Sequence, residues 1–468
     1  RGLGDVYKRQ KHTKMTPVSG QEDTVQVQTQ LSTDTVVEVK RDNFKSFVEV
    51  SLGSPTDPVP LSADDGQKLV EGIRTARTQH IPLICNINST GAPPDAGVEA
   101  LDGWGKAAQE ITASSGIIPI IFCVKETALA GPALLLGLAD FVIMVKDSYS
   151  YVSGPRMVQE FTGVPIDPET LGGAAKHAQM SGLASFVVPD LDSASEVVEE
   201  LLTLLPSSSS SPPPTNPTTD PADRLLTSIE NIVPDTQTGS YDMREIIAQV
   251  ADDNILTEIR KDWATNILTA LCTINGNTVG IVANQPQSLA GTLDISASQK
   301  GARFVNFCDA FNIPIITFVD TPGFQPGKDL EWRGMIRHGA QLAFAYANAT
   351  IPRICVTIRK SYGGAYIVMD SKHMGNDLAL AWPSAEIAVM GAKGAIEILH
   401  RNATQTERED LESEYENRLL NPYTAAERGS VDMVIHPEDT RKEVSAALDF
   451  LLSKREKLQK RLHSNTPL

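Results

Sequence analysis

The spacing of apolar and polar positions changes along the chain in a regular way. Phe47-Val48-Glu49-Val50-Ser51-Leu52 alternates, as a strand with one buried face does. Residues 63–78 then place Leu69, Ile73 and Ala76 on one helical face, with Asp64 and Asp65 near the start, where the helix dipole favours negative charge. His80 to Ile87 predicts a strand, 100–114 a second helix and Ile117 to Val124 another strand. A helix after Pro132 and a strand from Phe141 to Val145 follow. Strands alternating with helices predict an α/β domain of repeated crossovers. Pro206 to Arg224, PSSSSSPPPTNPTTDPADR, breaks the pattern. Serine and proline build no core, so this stretch predicts an extended surface linker without regular secondary structure. It divides an N-terminal domain, 46–205, from a C-terminal domain, 225–468. Residues 1–45 form a polar N-terminal tail, in which the opening RGLGDVYKRQ reads as an adapter-derived artefact and Met15 as a candidate start.

The second half repeats the first. HIPLICNINSTG, from His80, matches NIPIITFVDTPG, from Asn312. Pro82 and Pro119 are 37 positions apart, and Pro314 and Pro352 are 38. Pro119 precedes Gly131 by 12 positions, as Pro352 precedes Gly364. SGLASFVV, from Ser181, parallels RGSVDMVI, from Arg428. Such self-similarity predicts two tandem copies of one fold.

The chemistry centres on RKSYGGAYIVMDSKHMGNDLALAWPSAEIAVMG, from Arg359. An apolar strand-like run, Ile351 to Ile358, leads into Gly363, Gly364 and Ala365, which open a segment with helical potential. A strand, a glycine turn and a helix leave backbone N–H groups unpaired at the helix start. Those donors and the positive end of the dipole suit a developing oxyanion. The same residues also fit a plain tight turn, and spacing alone does not choose. The duplication puts Ala130 and Gly131 at the corresponding place, so the chain has two candidate oxyanion sites.

Composition narrows the classes. A chain of 468 residues, 41% hydrophobic and 21% charged, holds two domains with full cores. A net charge of −17 argues against nucleic acid as the main partner. The five cysteines stand singly, four of them in apolar surroundings that suit buried residues in a reducing cytosol, and no CxxC pair encodes a zinc ribbon. No compact metal-ligand set and no GxSxG motif occurs. The greasiest stretch, Ala128 to Val145, carries Asp140 and reads as buried helix and strand, not a membrane span. GFQPGKD, from Gly323, has one residue too few for a phosphate loop and Asp329 where Ser or Thr would bind magnesium. His338, His373 and His400 read as surface or supporting residues. Arg359-Lys360 reads as a solvated turn or an interface contact, and 443–461 as a solvated surface helix.

Four stretches carry a family resemblance: GIVANQPQSLAGTLDISASQKGARFVNFCDAFNIPIITFVDTPGF, the block from Arg359, AKGAIEILHR, and NPYTAAERGSVDMVI. Through them residues 269–468 resemble the C-terminal half of the carboxyltransferase β subunit of biotin-dependent acyl-CoA carboxylases, the propionyl-CoA carboxylase type above all. The resemblance implies two tandem crotonase-like spiral domains. It implies carboxyl transfer from N-carboxybiotin to the α-carbon of a short-chain acyl-CoA, propionyl-CoA or acetyl-CoA. Biotin would be carried by a biotin carboxylase/biotin carrier subunit, since no AMKM-like site or ATP-grasp signature occurs here. A cytoplasmic trimer of dimers is also implied, with each active site shared between chains and no membrane partner. By the same resemblance Gly364 and Ala365 hold the biotin carbonyl, flanked by Gly363 and Tyr366. Ala130 and Gly131 hold the thioester oxygen, Ile367 borders the acyl pocket, and Gly91 lies on the substrate side.

The N-terminal half departs from the family at three places. Glu126 to Pro132 replaces a GPCAGGA-like run, so Leu129 adds bulk and Pro132 lacks an N–H. NSTGAPPDAG, from Asn88, replaces a stretch close to DSGGARIQEG and brings in Pro93 and Pro94. Leu61 to Asp65 replaces a Phe-Gly-Gly stretch. These departures predict weakened coenzyme A binding. They keep two further readings open: the carboxyltransferase of a biotin-dependent decarboxylase or transcarboxylase, and a non-catalytic structural paralogue within a carboxylase complex.

Overall fold

The computed structural model describes residues 35–41, 45–54, 57–234, 236, 238–454, 456, 458–460 and 463–467. The adapter-like prefix and the candidate start lie outside them. The polar tail expected over 1–45 is partly strand, because Val36–Arg41 pairs antiparallel with Ser46–Leu52.

Two sheets carry the fold. The first holds β1 (Val36–Arg41), β2 (Ser46–Leu52), β3 (Val59–Pro60), β4 (Leu83–Gly91), β5 (Ile120–Leu129), β6 (Phe141–Val145), β7 (Tyr149–Tyr151) and β8 (Phe186–Val188). Its order is β1-β2-β4-β5-β6-β8, with β3 on β4 and β7 on β5. The second holds β9 (Thr257–Glu258), β10 (Ile267–Ile274), β11 (Asn277–Asn284), β12 (Ile315–Thr321), β13 (Arg353–Tyr362), β14 (Leu378–Ala381), β15 (Glu386–Ala388) and β16 (Met433–Val434). Its order is β16-β14-β13-β12-β11-β10-β9, with β15 on β13. From β2 to β8 and from β11 to β16 every pairing is parallel, and helices make the crossovers.

The internal repeat extends to register. Ile87 pairs with Val124 and Ser89 with Ala128; Val319 pairs with Thr357 and Thr321 with Ser361. Both ladders therefore skip the residue between, Asn88 in one half and Asp320 in the other. The main strands start and end a few residues later than hydrophobicity alone suggests. Each begins just after a proline, Pro82, Pro119 or Pro352, whose ring offers no N–H to a ladder but whose carbonyl still accepts: the Pro119 carbonyl takes the Leu83 N–H and the Pro352 carbonyl the Ile315 N–H.

Three apolar layers hold the sheets. Helices Ala63–Gln79 and Val98–Ser114 cover one face of the first sheet with Leu69, Ile73, Trp104 and Ile111. On the other face Ile84, Ile121 and Ile143 share one core with helix Leu191–Leu204, helix Ile295–Ala310 and second-sheet residues Val282, Ile315 and Val319. Phe141 meets Phe307 edge-on in that core, centroids 4.9 Å apart. The far face of the second sheet packs on Met243, Ile246, Ile247 and Val250 and on Val444 and Leu448.

Residues 206–224 contain no helix or strand beyond one bridge, Thr215 to Asn277. They are nonetheless bonded down. Ser208 is buried, Ser209 N–H donates to the Ile117 carbonyl, and buried Arg441 reaches the Asp220 and Pro221 carbonyls. The stretch is thus a strap held on both halves, not a free surface spacer. The surface helix expected over 443–461 is instead Thr440–Leu451, with Arg441, Val444 and Leu448 buried. All five cysteines are buried and free, and burial pushes the Cys123 thiol up to about 12. Among the described residues no helix is long and apolar enough to cross a membrane, and no cluster could hold a metal.

Candidate active site

Two turns occupy equivalent places. β5 runs through Leu129 into Ala130 and the helix Gly131–Leu136; β13 runs through Tyr362 into the helix Gly363–Val368. β7 pairs with β5 at Thr127 to Leu129, and β15 with β13 at Lys360 to Tyr362, just before each turn. Ala130 and Gly363 are therefore counterparts, and their φ angles are 59° and 58°. Glycine takes that conformation freely, whereas alanine, with ψ −124°, holds it under strain.

In the C-terminal half the amides of Gly364 and Ala365 lie in the first turn of the helix, where no internal acceptor exists. Gly364 is exposed while Ala365 is fully buried. A Cβ at Gly364 would stand 3.3 Å from the Phe324 ring, and one at Gly363 3.1 Å from the Val389 carbonyl, so side chains are kept off the turn. Tyr366 is half-buried, and burial raises its phenol pKa. Ile367 points outward, 49% exposed, beside Val389 at 75%.

The N-terminal turn repeats this outline with fewer donors. Ala130 N–H is given to the Tyr151 carbonyl at 3.0 Å, extending the β5–β7 ladder. Its expected role as an oxyanion donor is corrected on that ground. Pro132, the counterpart of Ala365, has no N–H, which leaves Gly131. Leu134, the counterpart of Ile367, is 62% exposed, and Val152, the counterpart of Val389, is 57%. Gly91 closes β4 against this turn: a Cβ there would meet the Ala130 Cβ at 3.3 Å, and its φ of 103° suits glycine. Its N–H is held by Ser89 Oγ and its carbonyl by the Leu61 N–H. The Trp104 ring lies beneath Gly131, its indole N–H buried without an acceptor among the described residues. Pro93 precedes a short exposed turn, Pro94–Ala96. The structure thus brings Gly91, Ala130 and Gly131 together at one turn and Gly363 to Ile367 at the other.

Charged residues behind the second turn had no sequence signal of their own. Arg359, read above as a solvated or interface residue, is buried, its Nε donating to Asp320 Oδ2 at 3.1 Å. Tyr241 O–H donates to the same oxygen at 2.9 Å, and Lys360 N–H to Asp320 Oδ1 at 3.1 Å. Burial raises the Asp320 carboxyl pKa, and the Arg359 charge opposes that rise. Beyond the helix, Arg353 Nη1 donates to buried Asp370 at 2.6 Å and Asn376 Nδ2 to the same carboxylate at 2.9 Å. The comparison that could have found Asp320 was the repeat itself, where it aligns with Asn88.

Residues 59–466 match the carboxyl transferase domain family. The chain is 44% identical over 422 residues to the propionyl-CoA carboxylase beta chain of Saccharopolyspora erythraea, covering 86% of this chain and 77% of that one. It is 42% identical over 402 residues to the methylmalonyl-CoA decarboxylase subunit alpha of Veillonella parvula, covering 86% and 79%. A solved transcarboxylase 12S structure, with hydrolysed methylmalonyl-coenzyme A bound, superposes with a TM-score of 0.90 at 36% identity, over 93% of this chain and 85% of that chain.

Proposed function

Because the chain belongs to the carboxyl transferase family, with its crotonase-like fold and its activity on acyl-CoA, we propose that it moves a carboxyl group between partner-borne biotin and the α-carbon of a short-chain acyl-CoA. The observation that carries this reading is the paired turn, with matching φ angles of 59° and 58° at equivalent ends of β5 and β13.

The open surface over Gly364 and the free first-turn amides fit a ureido carbonyl. Biotin, when bound, supplies the carboxyl group. Gly364 and Ala365 N–H would hold its carbonyl oxygen, and Ile367 would face the acyl group. In the N-terminal half Gly131 N–H would hold the thioester oxygen as the carbonyl becomes an enolate, the α-proton passing to the ureido nitrogen of biotin once the carboxyl group has left it. Removing one such donor costs on the order of 100- to 1000-fold in rate, so the backbone amides at the two turns would supply a large share of the rate. Each turn has an exposed apolar pair beside it, Leu134 with Val152 and Ile367 with Val389. Paired apolar rims suit burial against another copy, which supports an oligomer in which the 46–205 half of one chain meets the 225–468 half of another. The acyl-CoA side would belong to the first half and the biotin side to the second, with 206–224 between them.

The test is transfer of labelled carboxyl from methylmalonyl-CoA or malonyl-CoA to free biotin by the purified chain. Transfer abolished by Gly364→Pro supports the reading, and no transfer by the wild type refutes it. Whether the partner makes the complex a carboxylase, decarboxylase or transcarboxylase is read from which biotin-bearing subunit it binds. The ladder bond taken by the Ala130 N–H and the missing N–H of Pro132 favour one second reading, a non-catalytic paralogue. Calorimetric titration with propionyl-CoA separates the two, since a paralogue would assemble but not bind.

A further inference from the structure

Asp320 lies where β12 skips a residue of its ladder with β13, between the pairs Val319–Thr357 and Thr321–Ser361. Three residues of β13, Ile358 to Lys360, arch over that gap just ahead of the turn. A backbone arch leaves amides without ladder partners, and a buried amide needs one. Asp320 Oδ1 supplies it, taking the Lys360 N–H at 3.1 Å.

The first half solves the same problem with the same atom. Asn88 occupies the equivalent gap in β4, and its Oδ1 accepts the Thr127 N–H at 3.3 Å. Thr127 is the counterpart of Lys360. Both carbonyls of these bulged residues are also approached by a glycine: a Cβ at Gly53 would stand 2.3 Å from the Asn88 oxygen, and one at Gly291 2.5 Å from the Asp320 oxygen. Two independent copies thus keep a side-chain oxygen at this point while the charge differs. The shared element is the acceptor, not the carboxylate. Arg359 and Tyr241 then neutralise and fix the oxygen that Asp320 has in addition.

We propose that Asp320 is a positioning residue: through Oδ1 on the Lys360 amide it fixes the arch of β13 and so aims the Gly364 and Ala365 amides. This rests on the reading of that turn as the biotin-side hole. Asp320 touches neither substrate; it acts through backbone.

Two double variants isolate the acceptor. Asp320→Asn/Arg359→Met keeps the side-chain oxygen and removes the charge pair, as the first half does with Asn88. Asp320→Ala/Arg359→Met removes the same charges and the acceptor too. Carboxyl transfer from methylmalonyl-CoA to free biotin is measured for both, with secondary structure and hydrogen exchange at residues 360–366 as companion readouts. The Asn variant keeps kcat within about threefold of wild type, whereas the Ala variant loses on the order of 100-fold, the cost of about 1 Å of misplacement. KM for methylmalonyl-CoA changes little in both, because the coenzyme A and thioester are held by the other half and this half adds only Ile367 at the acyl end. Faster exchange in 360–366 accompanies the Ala variant only. Equal kcat in the two double variants overturns the proposal, as does a loss seen in KM instead of kcat. If the Ala variant does not fold, Asp320→Ser with Arg359→Met, whose shorter oxygen reaches the Lys360 amide less well, takes its place: a kcat well below that of the Asn variant supports the proposal, and an equal kcat overturns it. Failure of the underlying reading looks different: the wild type itself shows no transfer, or Gly364→Pro leaves transfer intact.

Discussion

Replacing Ala130 by glycine should stabilise the protein, against the usual direction of that change. Ala130 sits at φ 59° and ψ −124°, half-buried, with its Cβ near Gly91. A non-glycine residue held in such a conformation stores about 1–3 kcal/mol. Glycine returns about 0.4–1 kcal/mol through the extra freedom of the unfolded chain. Losing a half-buried methyl returns roughly 0.4 kcal/mol, half the value of a fully buried one. The balance is a gain of about 1 kcal/mol. Gly363→Ala makes the mirror experiment: it introduces the same strain and sets a Cβ 3.1 Å from the Val389 carbonyl, so it should destabilise. Urea midpoints followed by far-ultraviolet circular dichroism give both signs. The reasoning fails if Ala130→Gly lowers the midpoint by the ~0.5–1 kcal/mol ordinary for alanine to glycine, or if Gly363→Ala is neutral.

Other outcomes follow from the same geometry. Gly364→Pro deletes an amide donor and should lower kcat by about 100-fold or more in the biotin transfer assay, with the circular dichroism spectrum kept. Pro132→Ala returns a second first-turn amide to the N-terminal turn and should raise kcat/KM for acyl-CoA, by up to roughly tenfold if that amide reaches the thioester oxygen; no rise would show that the turn is not used. Burial raises the Asp140 carboxyl to about 6, despite Arg303 nearby. The folded state then holds that proton where the unfolded chain has released it, so stability associated with Asp140 is present below about pH 4 and declines as pH rises through 6. Asp140→Asn should flatten the denaturation midpoint across that window.

Much of the architecture was legible because it follows from local rules. Alternation in 47–52, the one-sided helix over 63–78 and the shared proline-to-glycine spacing need only neighbouring residues to be read. The two turns were legible for the same reason: small residues after an apolar strand. What Ala130 does with its N–H was not, because Tyr151, its acceptor, comes from a short strand that hydrophobic pattern does not announce. Arg359 looked like a surface residue because its partner, Asp320, lies 39 positions away. Arg441 gave no signal for the same reason, its carbonyl and carboxylate partners lying 189 to 221 positions distant. Residues 206–224 had the composition of a spacer, yet the carbonyls and amides of a structureless strap bond as well as any others when arginine and asparagine side chains stand nearby.

The core shared between Ile84, Ile121 and Phe141 on one side and helix Ile295–Ala310 on the other has a consequence during synthesis. The first half cannot complete its packing when its own last helix, Leu191–Leu204, leaves the ribosome. Phe304, Phe307 and Phe311, which fill that face, appear roughly a hundred residues later, on the order of 5–20 s at ordinary elongation speed. For that interval a half-made chain shows the solvent the part of a greasy sheet face that its last helix leaves bare and its own later sequence covers. Nascent-chain chaperones should therefore be found on ribosomes stalled after residue 205, and should leave once residue 311 has emerged.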